Sequence, residues 1–460
     1  MLPSDTRWTR PAIAALCLAA LFFLYFFGLT RTGLLGPDEP RYAAIGQAMA
    51  RTGDWITPRL WDKPWFEKPP LLFWMTALGF KAGLDADVAP RLPVALASAA
   101  FLIYFFLALR REFGENAAFY ASIILSTSAG WLAYSHIAVT DLPMSAAFAA
   151  AMLIVMRGPR GLPDSATAGV LLGLAILAKG LVPLALFVPA LWFLRRQLKD
   201  ALAILAVAIL IAAPWYALVT LRNGAAFLDV FFVQQTFGRF ASHDLGHEQP
   251  FWFYVPVLLA GLFPWTPFLM LLFRKQPYRD SRAAFLVIWL IWGLVFFSVF
   301  LNKLPGYLLP LLPPLAALIG TAIASANNRS ILLLWSVSLS AALVWFIPSI
   351  EDVLPDALSS GLSRSHYHVP AFWIFPCLAA ALLCSALARI GRRSIAIAII
   401  GLATTFTVIR LVWRVYPILD QTDSARQLSH SKSVTCVRPS DRSLRYGLNY
   451  YTNRELPDCN

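Results

Sequence analysis

Charge is what this chain has least of. Asp, Glu, Lys and Arg together make up 14% of its 460 residues, against about 25% in soluble domains. A water-soluble fold of this size needs a larger charged skin, so the composition argues against one. The chain also lacks a glycine-rich phosphate loop and a dinucleotide fingerprint, so no nucleotide cofactor is expected. Histidine is sparse at six, and the five cysteines show no metal-type spacing. A net charge of +13 raises the question of nucleic acid. No basic helix interleaved with stacking aromatics is present, however, and none is expected as a partner.

Hydrophobic residues are abundant at 58%, with 33 Phe and 16 Trp. They recur as thirteen apolar runs: 11–28, 92–109, 117–134, 142–156, 166–178, 181–194, 201–219, 251–273, 283–301, 307–324, 331–348, 371–388 and 394–413. Each is near or somewhat below the ~20 residues that cross a bilayer. This pattern predicts an all-α polytopic membrane protein with about thirteen transmembrane helices. Arg7 and Arg10 precede the first run as in a signal peptide, but no clear cleavage site follows, so the run is read as a retained helix.

The charge bias tests the count. With the N-terminus inside, the inside loops carry Arg110 and Arg111, Arg157 and Arg160, Arg195, Arg196 and Lys199, the cluster at 274–282, Arg329, and Arg389, Arg392 and Arg393. The short outside loops carry far fewer cations, as the positive-inside rule requires. An odd number of spans puts the C-terminal tail, 416–460, outside. Residues 1–415 then form the membrane domain.

Two outside loops are long. The first, 30–90, carries helix signals at Pro37-Asp38-Glu39-Pro40 and after Pro69-Pro70, and both helices are expected to lie along the membrane surface. The second runs over 220–250. The tail reads as a strand at 434–437 and a helix at 443–451. Cys17, Cys377 and Cys384 fall in apolar runs and are read as packing residues. Cys436 and Cys459 lie in the tail, where an oxidising compartment would let them pair. Spacing alone leaves that open.

Ionisable side chains beside a bilayer default to functional hypotheses. Here they gather on one side: Asp38, Glu39, Arg41, Glu67, Lys68, Asp141, Lys179, Arg239, His243, His247 and Lys303. Their strings are GLLGPDEPRYAAIGQAMARTGDWITPRLWDKPWFEKPPLLFW, AVTDLPM, AKG, GRFASHDLGHEQPFWFYVP and NKLPGYLLPLLPPLA. In order and spacing they closely resemble the bacterial lipid-carrier-dependent glycosyltransferases of the aminoarabinose (lipid A) transferase family. That family is related to protein O-mannosyltransferases and belongs to the GT-C class.

The resemblance implies a GT-C fold of thirteen helices, surface-lying helices in the first periplasmic loop, and a bacterial inner-membrane location with a periplasmic site. It implies transfer of a pentose or hexose from a polyprenyl-phosphate donor to a lipid A, protein or glycan acceptor, with inversion. By residue, it makes Asp38 the base, with Glu39 and Asp141 as further catalytic acids. Lys68, Arg239 and Lys303 become carrier-phosphate ligands, with Arg59 and Tyr307 weaker, and Glu67 and His247 the start of a metal site, zinc suiting imidazole plus carboxylate. The chain departs from the lipid A enzymes in its shorter tail and in Gln234-Gln235, where they have Glu-His. Each residue also has a plainer reading: Asp38 and Asp141 as helix caps, Glu39 as a first-turn acid, Arg239 and Lys303 as snorkelling cations. A flippase moving an anionic lipid-linked sugar without chemistry is the alternative function. A glycan ligase using a diphosphate carrier is the third.

Overall fold

A computed structural model describes residues 9–237, 248–273, 280–351, 354, 370–430, 434–438 and 441–459. Among the described residues the architecture is all-α apart from one two-stranded hairpin. The first helices are α1 (Thr9–Tyr25), α2 (Asp38–Thr52), α3 (Leu71–Lys81), α4 (Val88–Phe113), α5 (Glu115–Thr127), α6 (Ala129–Ser135), α7 (Asp141–Arg157) and α8 (Leu162–Lys179). The strands β1 (Arg59–Leu60) and β2 (Lys63–Pro64) pair antiparallel between α2 and α3.

Among the described residues, eight helices are long and apolar enough to cross a membrane, or nine if the bent pair Phe251–Gly261 and Thr266–Phe273 counts as one span. The described residues therefore form a multi-pass membrane protein with eight to nine such spans, where apolar runs alone predicted thirteen. The shortfall has local causes. Extended backbone at Ser128 divides run 117–134 into α5 and α6. Prolines 183 and 189 each start a new short helix in run 181–194, where their rings cannot continue the preceding one. The run at 251–273 bends by 111°. The helix α7 has 17 residues and is buried along almost all of its length. It forms the centre of the bundle, against α4, α8 and Pro305–Leu311.

The two helix starts read in the first loop are present. Prolines at 37 and 40 favour entry to α2, and Gly53 ends it in the left-handed region at φ 73°, its N–H returning to Met49. The helices α2 and α3 pack closely at Gly46, where a Cβ would fall 2.6 Å from the Thr76 side chain. The tail folds onto this loop rather than standing apart. Its helix Arg442–Thr452 packs on α2. Tyr450 donates to the Ala86 carbonyl (2.7 Å) and Tyr451 to Asp87 (2.6 Å), while Tyr451 accepts from the Leu34 N–H (2.7 Å). Arg426 bridges Asp87 and Asp420, both at 2.7 Å. The expected strand shrinks to one bridge, Val437 with Asp458, beside a disulfide joining Cys436 and Cys459.

Candidate active site

The start of α2 assigns opposite fates to neighbouring carboxylates, because successive helix positions point about 100° apart. Glu39 turns inward and is 1% exposed. It accepts from Arg91 at both oxygens (2.7 and 2.8 Å), from the Leu35 N–H (2.8 Å) and from the Ala138 N–H (2.8 Å). Arg91 spends its remaining donors on the carbonyls of Leu29, Thr32 and Gly33. This buried pair ties together the exit of α1, the start of α2, helix α4 and the approach to α7.

Asp38, held by that anchor, points the other way and is 46% exposed. It pairs with Arg41 one turn on, and Arg41 also lies 3.7 Å from Glu67. The Arg41 side chain is only 7% exposed and its Nε has no hydrogen-bond partner. The guanidinium lies 5.5, 5.3 and 5.4 Å from the rings of Tyr42, Trp65 and Tyr446, cation–π contacts that include one from the tail. Burial works against the Arg41 charge; Tyr42, Glu67 and Asp38 more than offset it and hold its pKa above the ordinary value. At Tyr42, burial and then Asp38 push the hydroxyl far above its usual range, Asp141 and Glu67 adding to this and Arg41 opposing it. Asp38, Asp141 and Glu67 thus all act on one side chain.

Beside this cluster is a cavity of about 180 Å³. Its polar lining is Glu67, Lys68, Lys179, Gln235, Asn302 and Tyr307; its apolar wall includes Phe231, Phe296, Phe297 and Phe300. Lys179 ends α8, where a cation complements the helix dipole. Its ammonium pairs with Asp141, the first residue of α7, and lies 4.5 Å from the Tyr307 ring. Gly306 permits this approach. A Cβ there would fall 2.5 Å from the Asp141 carboxylate and 2.7 Å from Tyr134. A cavity lined both by lysines and by phenyl rings suits a phosphate joined to a hydrocarbon chain.

The expected residues divide accordingly. Glu67, Lys68 and Tyr307 line the cavity; Asp141 stands one ion pair behind it, through Lys179, and Asp38 two, through Arg41 and Glu67. Three expected residues are placed elsewhere. Glu39 is consumed by the Arg91 anchor. Arg59 sits in the hairpin, its guanidinium 3.7 Å from Asp54 and donating to the Asp62 carbonyl (3.2 Å). Lys303 is buried at 4% exposure and donates to the carbonyls of Gln249 (2.9 Å) and Phe300, latching two segments together. Arg239, His243 and His247 lie outside the described residues. Among the described residues no three potential ligands group around a metal position. Sequence reading ranked Arg41 and Lys179 too low. The signal for Arg41 was its spacing, one helical turn from Asp38.

A family model for dolichyl-phosphate-mannose-protein mannosyltransferases matches residues 67–221. An undecaprenyl phosphate-alpha-4-amino-4-deoxy-L-arabinose arabinosyl transferase of Pseudomonas fluorescens is 32% identical over 338 residues, 69% of this chain and 60% of that one. The Pseudomonas aeruginosa enzyme of the same description is 34% identical over 333 residues, 68% and 60% of the two chains. This chain thus matches only about 60% of the length of these relatives. The crystal structure of ArnT from Cupriavidus metallidurans bound to undecaprenyl phosphate superposes with a TM-score of 0.77 and 26% identity, covering 97% of this chain and 85% of that one. On these matches the chain belongs to the bacterial lipid-carrier-dependent glycosyltransferase family that is similar to ArnT and the protein mannosyltransferases and shares the GT-C fold.

Proposed function

We propose that this protein transfers a sugar, a pentose or hexose, from a polyprenyl-phosphate donor to an acceptor hydroxyl or amine at the periplasmic face of the inner membrane. The observation that carries the reading is the pairing of Lys68 and Lys179 with a phenyl-lined wall in one cavity, next to the Asp38–Arg41–Glu67 cluster. The relatives named for undecaprenyl-phosphate sugars, and the ArnT structure bound to undecaprenyl phosphate, support the donor class.

In this mechanism Lys68 and Lys179 hold the carrier phosphate, while Asp141 keeps the Lys179 ammonium aimed. Arg41 positions Asp38 through their ion pair. Asp38 accepts the acceptor's proton as the acceptor atom bonds to the anomeric carbon. The bond from that carbon to the phosphate oxygen breaks, and its electron pair leaves with polyprenyl phosphate, whose growing charge the two lysines stabilise. Attack from the face opposite the leaving group inverts the anomeric centre. Arg239 belongs to this reading as a further phosphate ligand.

Zinc belongs to the proposal too: Glu67 and His247 would hold it as ligands. Glu67 fits as an oxygen donor: it is 29% exposed at the cavity and makes only a long pairing, 3.7 Å, with Arg41. A bound zinc would add positive charge beside the phosphate. The thirteen-pass topology is also part of the proposal, with the short and bent helices completing the crossings, the N-terminus cytoplasmic and the tail periplasmic. The cationic bias of one set of loops supports that orientation, as does a disulfide in the tail. Lipid A, a protein and a glycan are the acceptor classes it admits.

The test is donor binding by purified protein in detergent. Lys68→Ala is expected to weaken binding of polyprenyl phosphate by at least roughly tenfold, the loss of one charge-assisted contact. Unchanged affinity in a normally folded variant removes Lys68 from the phosphate site.

A further inference from the structure

A second and larger cavity, about 520 Å³, lies between the first loop and the tail. One side is a face of α2 carrying Ala44, Gln47, Ala48 and Arg51; the others are the hairpin tip at Trp61 and Asp62, the end of α3 at Phe80 and Lys81, and the tail at Asn453, Arg454 and Glu455. None of these residues touches the donor cavity. The two sites share a seam, however. Arg41 lies on the same α2 stripe, three residues before Ala44, and the tail's Tyr446 packs on it. Arg41 and Arg51 are ten residues apart, about 15 Å along the helix.

The hairpin tip supplies an independent observation. Leu60 pairs with Lys63, so Trp61 and Asp62 form a two-residue turn, and both have positive φ, 52° and 60°. Turns of this kind favour Asn-Gly, because both central residues occupy the left-handed region. A bulky aromatic there is an outlier, and strain of that type costs about 1–3 kcal/mol per residue and clusters at ligand clamps. The strained turn holds the indole against the groove. Trp61 is only half-buried, and it shares the lining with the planar hydrogen-bonding groups of Gln47, Asn453, Asp62 and Glu455. The lining carries three cations and two carboxylates; Asp62 pairs with Arg51 (3.6 Å) and Glu455 with Lys63 of the hairpin (3.4 Å). A cavity that combines an aromatic side chain with amide and carboxylate groups is suited to a sugar ring, whose C–H face is apolar and whose rim is hydroxyl. The volume falls within the ~300–1,000 Å³ range of small-ligand sites.

From this geometry we infer that the groove is a saccharide-binding subsite with Trp61 as its platform, and that it holds a sugar of the acceptor while the reacting group reaches Asp38 along the α2–tail seam. The acceptor role rests on the glycosyltransferase reading above; saccharide binding by the groove does not.

The experiment uses the purified full-length protein and two probes, a glucosamine disaccharide and its bisphosphorylated form, with binding followed by calorimetry. The wild type is expected to bind at least one of them. Trp61→Asn places a turn-favouring residue at the strained position, so it is expected to melt no lower than wild type while losing saccharide affinity by roughly tenfold. Trp61→Tyr, which keeps an aromatic face, is expected to retain most of the affinity. Polyprenyl-phosphate binding by all three proteins is expected to be equal. Saccharide affinity unchanged in Trp61→Asn, or no binding of either probe by wild type, overturns the subsite. An acceptor KM unchanged in Trp61→Asn, with the donor still consumed, overturns its acceptor role. Saccharide binding that depends on Trp61, in a protein that fails to bind polyprenyl phosphate, would leave the groove standing and remove the donor reading instead.

Discussion

Replacing Glu39 by Ala is the perturbation whose size follows most directly from the structure. The wild-type carboxylate satisfies two donors of Arg91 and the N–H groups of Leu35 and Ala138, all within 2.8 Å. Its removal leaves a buried guanidinium without a counter-ion, which costs about 3–5 kcal/mol. The buried Ala138 N–H and the half-buried Leu35 N–H are orphaned as well, at up to roughly 1–3 kcal/mol each, an upper range because the costs overlap. Exchanging both partners for apolar residues often restores stability elsewhere. Here it should not, because Arg91 also carries the Leu29, Thr32 and Gly33 carbonyls. The expected result is therefore strong non-additivity. Glu39→Ala, Arg91→Met and the double variant should all melt far below wild type and close to one another. Thermal unfolding of detergent-purified proteins, compared at one scan rate, measures this. A Glu39→Ala protein that melts with the wild type would refute the anchoring role and return Glu39 to the list of catalytic candidates.

Gly306→Ala is expected to disrupt the close contact of position 306 with Asp141 and Tyr134; overpacking of this kind costs about 1–3 kcal/mol. A displacement of about 1 Å at Lys179 would lower transfer by up to roughly a hundredfold, read as initial rate with labelled donor, and a rate equal to wild type would show that this contact does not set the site. Reducing the Cys436–Cys459 disulfide, which joins residues 23 apart, should cost the tail about 3 kcal/mol. Because Tyr446 packs on Arg41 and Tyr451 holds Leu34, transfer should fall along with stability; melting curves with and without reductant check this, and superimposable curves would count against the tail as a brace.

The helical character, the surface-loop helices and the polar clusters were legible because each rests on local signals: apolar runs, proline before α2 and α3, and motif strings. Span number was less legible. Apolar content is the same whether a run is one helix or two, and the breaks at Ser128 and at prolines 183 and 189 depend on backbone geometry that hydropathy does not register. Within the site, residue type misled where a charge had two possible partners. Glu39 and Asp38 look equivalent in sequence, and only the distant Arg91, 52 residues on, draws Glu39 inward. Lys303 resembles a phosphate ligand until two carbonyls are seen to claim its ammonium. Arg41 and Lys179 were undervalued because their importance lies in pairing with Asp38 and Asp141 across the fold.

The most direct test of the whole account separates donor binding from chemistry in one preparation. Purified Asp38→Asn protein, given labelled polyprenyl-phosphate sugar and an acceptor that the wild type glycosylates, should bind the donor with wild-type affinity yet lose transfer by roughly a hundredfold or more, the scale of a missing general base. Transfer at the wild-type rate by a normally folded Asp38→Asn protein would contradict the account.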